Sequence, residues 1–326
     1  MHQLEITERV IRLRSVPVFR TMPGADLAQL AATVRSKTWS AGEVLLSEDA
    51  PPSSFVLIGA GRVRLTRKGK LIGTVRAPGG VGFLSFLAQG AGGTQCVAET
   101  FVDGYEIPGD AIDEIFEDHF GVLFGTLKWV ASRLLPEMRA ATPPPFEPPK
   151  LAMEHLIGDR SLGVVERIFL VRRMRAFSRA NVNTLAALVK RMDEVRVDAG
   201  TVLWTPGERA DGAMFIVKGR ATSTWNDGAS VQKVGGGYVV GGLEAMLNLP
   251  RWTTLRADEP CIMLRGSPEV IIDMLEDDHE LARTFLAGLS TSLVEAWDKK
   301  ADDGVVAVGS AAADDEDDDD ARAAAQ

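Results

Sequence analysis

Hydrophobic residues follow two spacings along this chain, and the two spacings alternate in the same order twice. Apolar residues three or four positions apart, as in an amphipathic helix, recur in two stretches before each region of alternating residues. In the first half these positions are Val10, Ile11, Leu13 and Val16, followed by Leu27, Leu30, Ala31 and Val34. In the second half the clearest stripe is Leu185, Leu188, Val189 and Met192. Each half is therefore predicted to begin with helices.

The spacing then changes to two, which is typical of strands with one buried face. Turn residues separate these short stretches, and the pattern predicts strand pairs that turn at Gly61 in the first half and at Gly219 in the second. The segment Asn226-Asp227-Gly228 is a strong signal for a tight hairpin turn. Short strands with turns at regular intervals indicate a small barrel or sandwich. A long helical pattern then closes each half.

The two halves are copies of one module. When the sequence is shifted by 158 positions, identical residues align in order over two long stretches without a gap. The aligned pairs include Glu8, Arg9, Arg14 and Phe19 with Glu166, Arg167, Arg172 and Phe177, and Ala41, Gly42, Val44 and Leu45 with Ala199, Gly200, Val202 and Leu203. One inserted residue near Asp227 then aligns Gly82 with Gly241. We infer a tandem duplication.

Composition sets the predicted boundaries. The first domain is expected at 1–140 and the second at 151–300, because the proline-rich stretch 141–150 reads as an extended linker. Residues 301–326 are mainly Ala, Asp and Gly and are predicted to be a disordered acidic tail. This tail has nine acidic residues against one basic residue, so it carries −8 of the chain's net charge of −9.

The remaining 300 residues are close to neutral, so charge does not favour a nucleic-acid partner. No apolar run approaches the ~20 residues of a membrane span, and the N-terminus lacks a secretory pattern. We therefore predict a cytoplasmic protein with no membrane span. The four histidines lie outside the predicted strands, and neither a metal cluster nor a nucleophile with its base is apparent. The sequence thus predicts a protein that is not an enzyme and has no catalytic residue, metal or cofactor.

The order of helix, eight-stranded barrel and closing helices resembles the cyclic nucleotide-binding domain. This module occurs in the catabolite activator protein, in protein kinase A regulatory subunits and in cyclic-nucleotide-gated channels. The opening strands of the second copy carry Gly200, Gly207, Glu208 and Gly219 at positions usual for that family. The resemblance implies a mainly β fold with flanking helices (α+β), built as two antiparallel jelly-roll barrels.

The resemblance also implies a phosphate cassette between Gly235 and Ala257 of the second copy. In the family an arginine after a proline pairs with the cyclic phosphate, and an earlier glutamate binds the ribose hydroxyl. The implied ligand-binding residues here are Gly241, Gly242, Leu243, Glu244, Arg251, Trp252, Thr253 and Trp297. The family glutamate would fall near Gly241 or Gly242, and the nearest acid, Glu244, lies only seven residues before Arg251.

Each of these residues also has a structural interpretation, and the sequence leaves both open. Arg251 is a phosphate ligand or a surface arginine after a turn proline. Glu244 is a displaced ribose acceptor or a solvated helix acid. Trp252 is a stacking partner or a residue of the barrel wall or of an interface. Trp297 is a lid over a base or a residue that packs the closing helix on its own domain.

The first copy departs further from the family pattern. Phe83 stands where the second copy has Gly242, Gly92 stands where it has Arg251, and no cation lies nearby in the sequence. An anionic phosphate buried without a counter-charge is costly, so the first copy is predicted not to bind a nucleotide.

Two functions remain open from the sequence. The first is a non-enzymatic regulatory sensor whose second domain binds cAMP or cGMP through Arg251 and acts on an unidentified protein partner. The second is a degenerate scaffold or assembly protein that acts by protein–protein contacts alone. Neither the partner nor the oligomeric state follows from the sequence.

Overall fold

The structure is a computed structural model, and it describes residues 2–14, 16, 19–20, 22–50, 53–89, 93–143, 157–158 and 160–304. Packing divides the chain into two compact units. The first unit comprises Met1–Val130 with Leu286–Gln326, and the second comprises Ala131–Phe285. The predicted linker falls largely outside the described residues, and the domain boundaries at 140 and 150 stay predictions.

The first unit opens with helices α1 (His2–Arg14) and α2 (Gly24–Thr33) and continues into a barrel. Its strands are β1 (Arg35–Trp39), β2 (Val44–Leu46), β3 (Ser54–Ala60), β4 (Arg62–Arg67), β5 (Lys70–Arg76), β6 (Gly79–Val81), β7 (Gln95–Ala98) and β8 (Val102–Pro108). The short helix α3 (Phe83–Leu87) lies between β6 and β7, and α4 (Gly109–Asp118) and α5 (Phe120–Ala140) follow the barrel.

The second unit repeats this order from α6 (Val164–Arg172) and α7 (Val182–Lys190) onwards. Its strands are β9 (Asp193–Val197), β10 (Val202–Trp204), β11 (Ala213–Lys218), β12 (Arg220–Trp225), β13 (Ser230–Gly235), β14 (Val239–Val240), β15 (Thr254–Ala257) and β16 (Cys261–Gly266). The helices α8 (Gly242–Leu247), α9 (Pro268–Asp277) and α10 (His279–Asp302) correspond to α3, α4 and α5. The part of α10 from Leu286 onwards is grouped with the first unit, and the part of α5 from Ala131 onwards with the second.

Each barrel is formed by two four-stranded antiparallel sheets with the same strand order. The first has β1-β8-β3-β6 and β2-β7-β4-β5, and the second has β9-β16-β11-β14 and β10-β15-β12-β13. This is the jelly-roll arrangement expected from the sequence, and it confirms the predicted mixed α+β fold with flanking helices. Alternating residues of the strands, such as Val63 and Leu65 in β4, point into a closed apolar core.

The strand pairs expected at Gly61 and Gly219 are wrong. The strands on either side of each glycine belong to different sheets, because the chain crosses the barrel there. Both glycines have positive φ values, 99° and 87°, and a Cβ at either position would overlap the backbone of the neighbouring strand connection. The hairpin expected at Asn226-Asp227-Gly228 does form, between β12 and β13, with Asn226 and Asp227 in the left-handed region.

Helix α10 continues through Asp302, two residues into the stretch whose composition predicts disorder. Residues 305–326, which include the rest of the predicted tail, lie outside the described residues.

Candidate functional site

The segment that carries the predicted site is a short helix flanked by two left-handed residues. Gly241 begins α8 with a φ of 73°, and Asn248 ends it with a φ of 54°. The chain then returns through Pro250, which bridges to Arg209, and enters β15 at Thr254. This path directs Arg251 back towards the N-terminus of α8.

Arg251 is buried, with 2% of its surface exposed. Its Nη1 donates to the Gly241 carbonyl at 2.8 Å, and its Nη2 donates to the Gly212 carbonyl at 2.6 Å. The Asp211 carboxylate lies 3.5 Å from Nη2, and the guanidinium carbon lies 4.1 Å from the centre of the Trp204 ring. The interpretation of Arg251 as a surface arginine is therefore wrong, since the return of the chain after α8 places it inside the unit.

The charge of Arg251 is only partly balanced. Burial lowers the pKa of its guanidinium, while the carboxylates of Glu244 and Asp211 act in the opposite direction. Its Nε–H is buried and has no hydrogen-bond partner among the described residues. A buried donor without a partner costs about 1–3 kcal/mol, so an acceptor oxygen placed there would be stabilising.

Glu244 lies on α8 and has 5% of its surface exposed. Its interpretation as a solvated acid is therefore wrong, because its side of α8 packs inwards. A ribose contact from Glu244 remains a prediction. Thr253 is also buried, and its hydroxyl oxygen accepts a hydrogen bond from Trp204 Nε1 at 3.3 Å.

Gly242 and Leu243 are half-buried in the first turn of α8. A Cβ added at Gly242 would meet only the Cβ of Ala213, at an ordinary 3.6 Å. Gly242, one of the two positions where the resemblance places the family glutamate, therefore has room for a Cβ atom.

Trp252 packs on the barrel of the second unit. Its ring lies 5.2 Å from that of Trp225 in an edge-on arrangement, and the Arg139 guanidinium lies 5.7 Å from its centre. Trp225 Nε1 donates to the Arg139 carbonyl at 3.1 Å. The last turn of α5 belongs to the second unit. Trp252, which is adjacent to Arg251, therefore contacts this turn within its own unit. Its stacking on a ligand stays a prediction.

Trp297 is half-buried on α10 and belongs to the first unit, whereas the other seven predicted residues belong to the second. Its role as a lid over the ligand of the second domain also stays a prediction.

Aromatic side chains occupy the corresponding region of the first unit. Phe83 takes the position of Gly242, and its ring lies 4.8 Å from that of Phe55 and 6.0 Å from that of Trp129. Gly92, which takes the position of Arg251, lies outside the described residues.

Sequence reasoning missed a buried cation of the first unit, Arg67 at the end of β4. Its Nη1 donates to the Gly93 carbonyl at 2.7 Å, and its Nε donates to Asp298 at 2.7 Å. The sequence has no cation close to Gly92, but the fold brings Arg67 to the neighbouring Gly93. The only sequence signal for Arg67 is that it continues the inward alternation of Val63 and Leu65.

The model of the cyclic nucleotide-binding domain matches residues 36–119 and 194–278, which together form more than half of the chain. The chain belongs to the cyclic nucleotide-binding domain family. The two matches confirm the tandem arrangement, and they include strands of both barrels. Domains of this family are non-catalytic, and their tandem arrangement supports a regulatory or sensor role for this family member.

Several solved structures match the chain at low sequence identity. The cAMP-bound PfPKA-R structure has 13% identity, covers 93% of this chain and 92% of its own, and gives a TM-score of 0.35. The regulatory domain of Toxoplasma gondii PKA with cAMP has 14% identity, covers 84% and 96%, and gives 0.33. A cyclic nucleotide-binding-like protein from Brucella abortus has 25% identity over 34% of this chain and 97% of its own, with a TM-score of 0.30. No curated protein sequence matches the chain.

The described residues contain no group of three potential metal ligands and no helix that is both long and apolar enough to cross a membrane. A cavity of about 300 Å³ lies in the first unit beside Arg67, Gln89, Thr291 and Asp298, and none of the predicted ligand-binding residues lines it.

Proposed function

We propose that this family member is a non-enzymatic sensor whose second domain binds a cyclic nucleotide, cAMP or cGMP, through Arg251. The observation that carries the proposal is the buried guanidinium of Arg251, whose Nε–H lacks a partner among the described residues. It lies within the segment that the family model matches. A phosphate oxygen at Nε would satisfy that donor and balance the buried charge.

The ribose half of this site would be weak. Neither Gly241 nor Gly242, where the resemblance places the family glutamate, supplies a carboxylate, and Glu244 lies further along α8. Loss of one charge-assisted hydrogen bond of about 1.5–3 kcal/mol lowers affinity by roughly 10- to 100-fold. We therefore expect binding that depends on the cyclic phosphate and discriminates little between ribose and deoxyribose.

The first domain would not bind a nucleotide. Phe83 packs against Phe55 and Trp129 where the second unit has Gly242, so apolar rings fill the region of the cassette. The second domain would act on a protein partner in the cytoplasm. The contact between Trp252 and the end of α5 lies next to Arg251, the residue that would bind the phosphate.

Isothermal titration of the full chain with cAMP and cGMP tests the proposal. The full chain is needed because residues 131–140, at the end of α5, form part of the second unit. We expect about one site per chain, no binding by Arg251→Met, and no competition from adenosine, which lacks the phosphate. Absence of binding heat at about millimolar nucleotide would contradict the proposal.

Restoring the family carboxylate gives a sharper test. Gly242→Glu is expected to tighten binding by about tenfold, because a carboxylate would regain the ribose hydroxyl. Gly242→Gln is the control of equal size without the charge and should gain less. Equal affinities for all three proteins would contradict a ribose contact from this position.

The second candidate is a scaffold without a ligand. The bonds from Arg251 to the Gly241 and Gly212 carbonyls favour it, because an arginine can hold two loops together without binding an anion. In that case Arg251→Met would lower stability, partner binding would persist in the folded fraction, and no titration would give heat.

A further inference from the structure

The β4–β5 hairpin of the first unit is strongly basic. Residues 62–76 contain six cationic side chains and no acidic one, at Arg62, Arg64, Arg67, Lys68, Lys70 and Arg76. The equivalent hairpin of the second unit, β12–β13, carries only Arg220 and Lys233 with one acid, Asp227. Both hairpins have the same strand pairing, so the fold by itself does not account for the excess of basic residues.

Three cationic residues of this hairpin bind acidic residues at the end of α10, in the same unit. Asp298 accepts hydrogen bonds from Arg67 at 2.7 Å and from Lys68 at 2.9 Å, and Asp302 accepts one from Lys70 at 2.5 Å. The described chain therefore approaches its end, at Gly304, beside the tip of the hairpin. The acidic run Asp314–Asp320 follows ten residues later.

Two other cationic residues of the hairpin are not bound by Asp298 or Asp302. Arg64 and Arg76 are exposed, and neither has an ion pair or side-chain hydrogen bond with any described residue. Arg76 pairs in register with Arg62, which is two residues from Arg64, so the three side chains share the outer face of the sheet. This face continues away from the tip where Asp298 and Asp302 bind.

We propose that the acidic run Asp314–Asp320 docks on this outer face, beside Arg64 and Arg76, after the chain has passed the tip of the hairpin where Asp298 and Asp302 are bound. The lengths agree. Twelve residues from Asp302 to Asp314 have a typical span of about 20 Å as a flexible chain. Seven residues of β5 also extend about 20 Å, so the acidic run can lie along the strand.

The expected strength is modest and salt-dependent. Single exposed ion pairs contribute about 0–1 kcal/mol, but the tether gives the tail an effective concentration near the millimolar range. At about 1 M salt the screening length falls to about 3 Å, which removes most of the attraction. The proposal does not depend on nucleotide binding.

The test places a nitroxide spin label on the tail of the full chain through Ala313→Cys. Cys96 and Cys261 have 0% and 1% of their surfaces exposed, so the new thiol is labelled selectively. At about 0.05 M salt, we expect line broadening of the backbone amides of β5 but not of β13. At about 1 M salt, the broadening of β5 should fall about fivefold or more.

Charge reversal then tests the face itself. Arg64→Glu with Arg76→Glu should abolish the broadening, whereas Arg14→Glu with Arg35→Glu, an equal charge change at exposed residues of the same unit, should preserve it. Replacing the seven acidic residues of the run Asp314–Asp320 by Asn and Gln should also abolish the broadening. This variant leaves the hairpin unchanged, so it tests the proposal even if the charge reversal at Arg64 and Arg76 disturbs folding.

Two results would overturn the proposal. The first is a spin-label result on β5 that differs from the expectation: either no broadening at low salt, or broadening that persists in the protein with Arg64→Glu and Arg76→Glu. The other is broadening that appears only when spin-labelled and isotope-labelled chains are mixed, which would assign the face to the tail of a second copy.

Discussion

Arg251 donates a hydrogen bond of 2.8 Å to the carbonyl of Gly241, the residue that begins α8 ten positions earlier. This bond closes the segment into a loop whose two ends are a left-handed glycine and a buried cation. A substitution at Gly241 or at Arg251 is therefore expected to alter this hydrogen bond, whether or not a ligand binds.

Gly241→Ala should disrupt this loop, and Gly242→Ala should not. A Cβ at Gly241 would overlap Arg251 Nη1 on a backbone with a φ of 73°, so we expect a loss of about 2–4 kcal/mol in the free energy of unfolding. Gly242 has room for a methyl group and lies in a helix, where alanine is favoured by up to about 1 kcal/mol. Urea denaturation measures both, and equal effects would contradict the role given to Gly241.

Arg251→Met should destabilise the second unit by about 1–3 kcal/mol, because the Gly241 and Gly212 carbonyls lose their donor in a buried site. Arg251→Lys should fall between the wild type and the methionine variant, since an ammonium group cannot reproduce the planar fork. Denaturation followed by hydrogen exchange of β15 amides checks this, and a stability unchanged in both variants would argue against a structural part for the arginine.

The contact of Arg139 with Trp252 should appear as a coupling energy. Arg139→Ala leaves the backbone carbonyl that accepts from Trp225 Nε1, so it isolates the contact of the guanidinium with the ring. A double-mutant cycle with Trp252→Leu is expected to give about 0.5–1 kcal/mol. Additive effects of the two substitutions would show that the guanidinium does not stabilise the ring.

Asp298 should stabilise the first unit in a pH-dependent manner. Burial raises the pKa of this carboxyl, but hydrogen bonds from Arg67 and Lys68 outweigh that effect and hold the pKa below its ordinary value of 3.8. A carboxyl with a lowered folded-state pKa contributes stability above its unfolded pKa and loses it as the pH falls through the folded value.

The difference in unfolding free energy between the wild type and Asp298→Asn should therefore be constant above about pH 5 and shrink below about pH 4. Thermal denaturation at a series of pH values measures it. Asp302→Asn, at a more exposed ion pair, is the control with a smaller expected effect. A difference that grew in acid would contradict the assignment.

Cys96 should be inert in the folded protein. Burial raises the pKa of its thiol to about 12, so the reactive thiolate is scarce at neutral pH. Ellman's reagent at about pH 8 should react only as fast as the barrel opens, and reaction should be complete in denaturant. Rapid reaction under native conditions would show that the core around β7 is open to solvent.

The architecture was accessible from the sequence because it depends on local periodicity repeated twice. Helical and strand spacings, the turn glycines and the shift of 158 positions all reflect short-range constraints, and the jelly-roll barrels and tandem domains are confirmed. Strand pairing at Gly61 and Gly219 failed because adjacency in sequence does not reveal which sheet a strand joins.

The fold and the duplication followed from the order of residues along the chain, and the cassette around Arg251 was predicted from the resemblance. The burial of Arg251 and Glu244 could not be predicted, because it depends on how the chain returns after α8. Only the tertiary structure brought Arg67 to Asp298, 231 positions apart, and Trp225 to Arg139 at equivalent places of the repeat. Such pairs have no local pattern, since their free energy arises from groups that meet only when the closing helices pack.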